Sequence, residues 1–204
     1  MKPLLAELRL LLDLDGTTLK NAGREVMARE LNLPLPAANA GSWFTSGILE
    51  ERGIPMERFW AVWQANQEEI YARATPLPGA LETLHRLRAQ GAHIAVVTAR
   101  RGSAAMVTRE WLALHGVPYD LIQFNCDDKL AVARSLGLNL GIDDDLQHVL
   151  ALSQAMPVML MDPEGRHAET ELPGNILRVR GWDEVEPAVA RLHPAASSEG
   201  RRHG

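Results

Sequence analysis

The segment LRLLLDLDGT (residues 8–17) decides the fold. Its apolar run up to Asp13 hardly alternates with polar residues, as expected of a strand that is buried on both faces of a sheet. Strands that alternate with helices predict a parallel sheet flanked by helices, a Rossmann-like α/β fold. Further strand-like runs occur at 93–98, 119–125, 138–142 and 157–161, and helical patterns at 103–115, 127–136 and 146–155.

Residues 20–75 interrupt this alternation, because they hold no convincing buried strand and are rich in aromatic residues. We predict a small helical cap inserted after the first strand, with one helix over residues 56–74. Pro76 and the Pro78-Gly79 turn then return the chain to the sheet. The predicted division is an α/β core of residues 1–19 and 76–193, a cap of 20–75 and a disordered tail of 194–204.

The composition excludes several classes of protein. The 204 residues carry a formal net charge of -5, which argues against binding along a nucleic-acid polymer but is compatible with a small phosphorylated ligand. Cys126 is the single cysteine, so neither an internal disulfide nor a cysteine-rich zinc site is expected. The apolar start is interrupted by Lys2, Glu7 and Arg9, which excludes a signal peptide or membrane span there. We expect a cytoplasmic protein.

Asp13 and Asp15 are the first candidate site residues. Strand geometry puts their side chains on the same side, about 7 Å apart along the chain. Their mutual repulsion favours a cation between them. In the alternative interpretation, Asp15-Gly16 is only a hairpin turn. This is less favoured, because the preceding run does not alternate and no plausible second hairpin strand follows.

Two further candidates come after later strands. At Thr98-Ala99-Arg100, a hydroxyl and the free amides of a strand-to-helix turn can hold phosphate oxygens. The alternative is a threonine that caps the following helix, with Arg100 or Arg101 merely solvated. Lys129, near the start of a predicted helix, can neutralise a phosphate, although lysines at helix starts are usually uninvolved surface residues.

Three consecutive carboxylates, Asp143, Asp144 and Asp145, follow another predicted strand. Capping of the next helix needs only one of them. Mg²⁺ takes oxygen ligands, so Asp13, Asp15 and one acid of this run predict a magnesium site.

Taken together, Asp13-x-Asp15-Gly16-Thr17, Thr98, Lys129 and Asp143-Asp144 resemble the four ordered motifs of the haloacid dehalogenase superfamily. Within it, FWAVWQANQEEIYARATPLPGALETL (residues 59–84) and VVTAR (residues 96–100) look like the 5′(3′)-deoxyribonucleotidases and their bacterial nucleotidase-like relatives.

The resemblance implies a role for each motif residue. Asp13 is the nucleophile that forms an aspartyl phosphate, and Asp15 is the general acid and then the general base. Thr98, Ala99 and Lys129 bind the phosphoryl group. Mg²⁺ is bound by the Asp13 carboxylate, the Asp15 backbone carbonyl and Asp144. Asp143 supports these ligands without binding the ion directly. Because Asp145 allows a shift of one residue, the choice among the three acids stays open.

The resemblance predicts a magnesium-dependent phosphomonoester hydrolase, with nucleoside monophosphates as the best single substrate class. Nucleotidases of this group stack a base on aromatic residues, for which Trp43, Phe44 and Trp60 are the candidates here. Aromatic residues at helical spacing are as readily explained as the core of the cap. The alternatives are a phosphatase of another small metabolite and a catalytically weak binding or regulatory protein of the same fold. A homodimer is compatible with this interpretation.

Overall fold

The computed structural model describes residues 4–35 and 48–193. Six strands form one parallel sheet in the order β5-β4-β1-β6-β7-β8, which confirms the predicted Rossmann-like α/β fold. A separate antiparallel pair joins β2 to β3. The strands, numbered along the chain, are β1 (Arg9–Leu12), β2 (Leu19–Lys20), β3 (Thr75–Pro76), β4 (His93–Val97), β5 (Leu121–Gln123), β6 (Leu140–Asp143), β7 (Val158–Met161) and β8 (Ile176–Val179).

Helices cover both faces of the sheet, which explains the continuous apolar run of β1. Leu10 and Leu12 pack into one buried cluster and Leu11 into another, because successive side chains of a strand point to opposite faces. The helices are α1 (Gly23–Glu30), α2 (Ile48–Glu51), α3 (Met56–Ala65), α4 (Gln67–Ala72), α5 (Ala80–Ala89), α6 (Ala105–Leu114), α7 (Lys129–Leu136), α8 (Leu146–Leu152) and α9 (Val185–Leu192).

The position of β1 between β4 and β6 creates the crevice for a site. Leu12 lies opposite Val96 of β4 and Ile142 of β6, so these three strands end at the same edge of the sheet. The chain continues from β1 to β4 on one side of β1 but from β6 to β7 on the other, with α5 and α8 packed on opposite faces of the sheet. Ligands bind at the carboxyl ends of strands where the order reverses in this way.

The described part of the inserted segment, residues 20–35 and 48–75, packs onto the rest of the chain through α6. Val26, Phe59 and Ile70 share one buried apolar cluster with Ala104 and Val107, which belong to the start of α6 and the turn before it. At the ends of the segment, Leu19 pairs with Pro76 and Lys20 with Thr75. The described part of the segment is therefore anchored both at this strand pair and on α6.

The predicted single helix over residues 56–74 is wrong. The segment instead forms two helices, α3 and α4, which are separated at Asn66. The helix breaks there because the Asn66 side-chain amide donates a 2.9 Å hydrogen bond to the Val62 carbonyl and so competes with the helical backbone hydrogen bonds. The apolar periodicity carries no sign of this break.

Other element boundaries also differ from the prediction. The helix predicted from residue 127 begins at Lys129, after Asp128 accepts a 3.0 Å hydrogen bond from the Ala131 amide. The edge strand β8 and the following α9 were not predicted. No helix within residues 4–35 and 48–193 has the length and apolar character needed to span a bilayer.

Candidate active site

A cavity of about 570 Å³ opens at the carboxyl ends of β1, β4 and β6. It brings together every described residue predicted to act in catalysis or to bind phosphate, metal or a base. Its walls are formed by Asp13, Asp15, Asn21, Trp60, Trp63, Gln64, Gln67, Tyr71, Thr98, Ala99, Arg100, Arg101, Asp127, Lys129, Asp143, Asp144, Asp145 and His148.

The backbone of Asp13 is fixed on both sides. Its amide donates a 3.1 Å hydrogen bond to the Ile142 carbonyl, which extends the β1–β6 ladder by one residue. Its carbonyl accepts a 2.6 Å hydrogen bond from the Thr18 hydroxyl. The Asp13 carboxylate therefore leaves the sheet edge from a rigid position.

Lys129 bridges two buried carboxylates. Its Nζ lies 2.6 Å from Asp13 Oδ1 and 2.7 Å from Asp143 Oδ2. The Lys129 side chain is only 2% exposed. Burial alone would lower the pKa of this ammonium group, but Asp13 and Asp143 raise it overall, so Lys129 remains charged. It is not the solvated surface lysine that the alternative interpretation considered.

Asp13, Asp143 and Asp144 form a compact acidic cluster, in which carboxylate oxygens lie within 4.8 Å of one another. Burial raises the pKa of Asp13 to about 8; Lys129 opposes this, while Asp143 and Asp144 add to it. Burial and Asp143 raise the pKa of Asp144 to about 6. The cluster is thus short of positive charge, and its donor set of closely spaced carboxylate oxygens fits a hard divalent cation.

Asp143 and Asp145 have different surroundings from Asp144. Asp145 caps α8, since its Oδ1 accepts hydrogen bonds of 2.7 Å from the Gln147 amide and 3.2 Å from the His148 amide. Asp143 Oδ1 accepts a 3.0 Å hydrogen bond from the Asp145 amide and lies 3.7 Å from His148 Nδ1. Burial alone would raise the pKa of Asp143, but His148 and Lys129 lower it overall.

Asp144 lies against the turn that follows β1. A Cβ atom on Gly16 would come within 2.2 Å of Asp144 Oδ2, and Gly16 has φ +82°. Arg166 Nη2 lies 3.2 Å from the same carboxylate oxygen. The Asp-Gly pair is therefore not a simple hairpin dipeptide, because its glycine makes room for an acid that is distant in the chain.

Asp15 is separate from the acidic cluster. Arg100 Nε donates to Asp15 Oδ2 at 2.7 Å and Arg100 Nη2 donates to Asp15 Oδ1 at 2.9 Å. Asn21 Nδ2 adds a 2.7 Å hydrogen bond to Oδ1. Burial alone would raise the pKa of Asp15, but Arg100 and Asn21 lower it overall. Because Arg100 is buried in this pair, the alternative expectation of a solvated Arg100 is wrong.

Thr98 and Ala99 continue the chain from β4 along the cavity wall. The Thr98 hydroxyl is buried and accepts a 3.2 Å hydrogen bond from the Arg100 amide, while the Thr98 amide donates to the Gln123 carbonyl at 3.0 Å. The helical turn begins later, at Gly102. Thr98 therefore supports the turn that carries Ala99 and Arg100 rather than capping a helix.

Aromatic and amide side chains of the inserted segment form the opposite wall. Trp60 is 52% exposed, whereas Phe59 is 1% exposed and belongs to the apolar cluster. Gln64 and Gln67 lie beside Trp60 and Trp63 on the cavity wall. Of the aromatic residues predicted to receive a base, Trp43 and Phe44 lie outside the described residues.

Several residues at the site were missed by the sequence analysis. Asn21, Tyr71, His148 and Arg166 gave no signal, since single polar or aromatic residues in helices and loops are common. Arg100 was named only as part of the turn after Thr98, and its pairing with Asp15 was not predicted; its position two residues after Thr98 was the available clue.

Comparison with known proteins gives a consistent result. Residues 7–193 match the model of the family described as 5′ nucleotidase, deoxy (Pyrimidine), cytosolic type C protein. A nucleotidase of Clostridium acetobutylicum is 26% identical over 189 residues, which cover 91% of this chain and 95% of that protein.

Solved structures show the same fold. A HAD family hydrolase of Deinococcus radiodurans R1, with bound phosphate and sodium, has a TM-score of 0.65 at 19% identity. The matched residues cover 94% of this chain and 97% of the hydrolase chain. A phosphonoacetaldehyde hydrolase-like protein of Oleispira antarctica has a TM-score of 0.64 at 15% identity, and the matched residues cover 94% of this chain and 95% of that protein's chain. At these identities the likeness concerns the fold.

Proposed function

The chain belongs to the family of cytosolic type C 5′ nucleotidases, within the haloacid dehalogenase-like phosphohydrolases, and from this premise we propose a Mg²⁺-dependent hydrolase of nucleoside monophosphates. The observation that carries the proposal is Lys129, which joins Asp13 to Asp143 inside a cluster of three carboxylates. The proximity of a carboxylate, a fixed positive charge and further acids supports a nucleophile and a cation site at one point.

Asp13, Asp144 and the Asp15 carbonyl are the proposed Mg²⁺ ligands, and Asp143 is close enough to support or join them. The bound ion supplies positive charge that keeps Asp13 ionised and attracts the phosphate. The raised pKa values of Asp13 and Asp144 support the need for such charge. Asp145 is left to its role as the cap of α8.

In the first proposed step, an oxygen of the Asp13 carboxylate attacks phosphorus and the bond from phosphorus to the ester oxygen breaks. Asp15, whose pKa is lowered by Arg100 and Asn21, takes up the proton of the incoming monoester monoanion and passes it to the leaving oxygen, which gives the free alcohol and an aspartyl phosphate. In the second step, Asp15 takes a proton from water as the water oxygen attacks phosphorus. Inorganic phosphate leaves and the Asp13 carboxylate is restored.

Lys129 and the turn after β4 have supporting roles in this scheme. The Lys129 ammonium group stabilises the negative charge on the phosphoryl oxygens while the phosphoryl group is transferred to Asp13. The Thr98 hydroxyl and the Ala99 amide are the proposed hydrogen-bond donors to the same oxygens. The burial of Thr98 and the place of Ala99 on the cavity wall support this assignment.

The cavity size and its aromatic wall support a nucleoside as the leaving alcohol. Trp60 offers an exposed ring for stacking, and the amides of Gln64 and Gln67 offer donors and acceptors for a base edge. The name of the Clostridium relative as a nucleotidase supports the same substrate class. We propose residues 20–75 as the cap and residues 1–19 and 76–193 as the α/β core.

The test is phosphate release from a panel of nucleoside monophosphates and sugar phosphates, with Mg²⁺ and with a chelator. We expect turnover of nucleotides, loss of turnover with chelator, and a loss of at least about a thousandfold in Asp13→Asn. Asp120→Asn, which alters an acid paired with Arg88 away from the cavity, is the control. Turnover of sugar phosphates with inert nucleotides would indicate a different metabolite phosphatase. Full activity of Asp13→Asn would exclude the mechanism.

A further inference from the structure

We propose that Arg100 is the positioning residue of Asp15, and that it makes the placement of this carboxylate depend on the inserted segment. The proposal rests on the proposed function, since it takes Asp15 to be the group that gives a proton to the leaving oxygen. It adds a residue that no motif assigns.

The contact between Arg100 and Asp15 fixes the orientation of the Asp15 carboxylate as well as balancing its charge. Nε and Nη2 donate to the two carboxylate oxygens in parallel, at 2.7 and 2.9 Å. Such a two-point contact sets the plane of the carboxylate, which a single ammonium contact would leave free to rotate. Asp15 is therefore oriented by the guanidinium group.

Arg100 itself has little freedom to move. Its side chain is 1% exposed. The remaining terminal nitrogen, Nη1, donates a 3.1 Å hydrogen bond to the buried Thr108 hydroxyl on α6. The Cζ atom lies 3.8 Å from the ring centroid of Tyr71, in a cation–π contact. With three partners in three directions, Arg100 provides a fixed reference for Asp15.

Two of the contacts around this pair come from the inserted segment. Tyr71 belongs to α4 and covers the guanidinium face, and its hydroxyl accepts a 3.2 Å hydrogen bond from Trp63 Nε1. Asn21 donates to Asp15 Oδ1 while its own Oδ1 accepts a 3.0 Å hydrogen bond from the Gly23 amide at the start of α1. A shift of this segment would therefore disturb both the Tyr71–Arg100 contact and the Asn21–Asp15 hydrogen bond, and each of them affects the orientation of the Asp15 carboxylate.

The chemical consequence is a dependence on the leaving group. An alkoxide is a poor leaving group and needs a proton from a well-placed acid, whereas a nitrophenolate leaves without one. If Arg100 aims Asp15, its loss slows transfer from an alkyl ester more than transfer from a nitrophenyl ester. A role in folding alone would reduce both rates by the same factor.

The experiment compares kcat/KM for 4-nitrobenzyl phosphate and 4-nitrophenyl phosphate, which differ by one methylene group. For Arg100→Gln we expect the benzyl-to-phenyl ratio of kcat/KM to fall by about tenfold or more relative to wild type. Arg100→Lys keeps the charge without the planar pair of donors and should show a similar fall. Arg88→Gln removes an arginine–aspartate pair outside the cavity and should leave the ratio unchanged.

Two milder variants keep the test decisive if Arg100→Gln does not fold. Thr108→Val removes one anchor of Arg100 at nearly constant volume, and Thr83→Val is its match in α5. Tyr71→Leu removes the ring face supplied by the inserted segment. We expect a two- to fivefold fall of the ratio for Thr108→Val and Tyr71→Leu, by analogy with the loss of one fixing contact worth about 0.5–1 kcal/mol, and none for Thr83→Val.

The outcomes separate this inference from the proposed function. No turnover of either ester by wild type, or an unchanged ratio in Asp15→Asn, would contradict the function itself. A ratio that falls in Asp15→Asn but stays at the wild-type value in the folded Arg100 and Thr108 variants would overturn the positioning role. A rise of the ratio would also overturn it, because Arg100 would then restrain Asp15 rather than aim it.

Discussion

The ammonium nitrogen of Lys129 lies 2.6 Å from Oδ1 of Asp13, in a buried ion pair between residues that are 116 positions apart in the chain. It fixes the start of α7 against the end of β1. Lys129 also contacts Asp143 at the end of β6, so three neighbouring elements meet at one charge. This arrangement has consequences for stability as well as for phosphate binding.

Replacing Lys129 by methionine should destabilise the metal-free protein by about 3 kcal/mol, because two buried carboxylates would lose their shared counter-ion. Urea unfolding in the presence of a chelator measures this loss. Part of it should be recovered on addition of Mg²⁺, which supplies positive charge to the same cluster. Lys20→Met, at an exposed lysine, is the control and should change the free energy of unfolding little. Equal unfolding midpoints for the two variants would contradict a central role for the ion pair.

The sheet and the convergence of the main candidate residues at one of its edges could be predicted because their signals are local. The apolar run that ends at Asp13 reports burial on both faces of a central strand, and carboxyl ends of parallel strands meet at one edge. By contrast, the partners of Asp15 depend on the packing of the inserted segment against α6. Neither the Arg100 pair nor the Tyr71 contact has a period or spacing in the sequence.

The missed strand and the broken helix have physical reasons of the same kind. The edge strand β8 includes the partly exposed Arg178, whose Nη2 contacts the His167 carbonyl, so the run ILRV lacks the continuous apolar character of β1. At Asn66, a single side-chain hydrogen bond outweighs the apolar periodicity on either side. Both effects are set by individual contacts and not by patterns.

Gly16→Ala should weaken both the fold and cation binding. The new Cβ would lie 2.2 Å from Asp144 Oδ2 at a backbone φ of +82°, so the Asp144 carboxylate would have to move. We expect a loss of about 1–3 kcal/mol in the free energy of unfolding and at least about a tenfold weaker Mg²⁺ affinity in calorimetric titration.

The matched control is Gly137→Ala. This glycine also has a positive φ, +61°, but apart from its chain neighbours no described residue has an atom within 4 Å of the added Cβ. It should therefore show the backbone cost alone, with Mg²⁺ affinity unchanged. Equal effects of the two substitutions on Mg²⁺ affinity would show that the Asp144 contact is unimportant.

Arg166→Ala should strengthen Mg²⁺ binding to the free enzyme. Arg166 Nη2 lies 3.2 Å from Asp144 Oδ2, and its positive charge opposes a cation at the same carboxylate. We expect about a three- to tenfold lower Kd for Mg²⁺ in a calorimetric titration without substrate, since the Arg166 side chain is 33% exposed and partly screened. Arg166→Lys keeps the charge and should stay near wild type. Weaker Mg²⁺ binding in Arg166→Ala would mean that Arg166 instead holds Asp144 in place for the ion.

Mg²⁺ binding to the free enzyme should strengthen as the pH rises from 6 to 8. Burial raises the pKa of Asp13 to about 8 and that of Asp144 to about 6, so the protonated fraction of both acids grows as the pH falls through this range. A cation binds the ionised carboxylate, and binding must therefore displace protons in this range. Above about pH 9 both acids are mostly ionised, and the affinity should level off.

Proton release on Mg²⁺ binding distinguishes ionisation of Asp13 and Asp144 from a general effect of pH on folding. Titration calorimetry at pH 7 in buffers of different ionisation enthalpy should show a release of protons as Mg²⁺ binds, mostly from Asp13. In Asp13→Asn this release should fall, because Asp144 is largely ionised at pH 7 and the substituted amide carries no titrating proton. An affinity that is constant from pH 6 to 8, with no proton release, would show that Lys129 alone keeps Asp13 ionised and that the cluster needs no added charge to form the nucleophile.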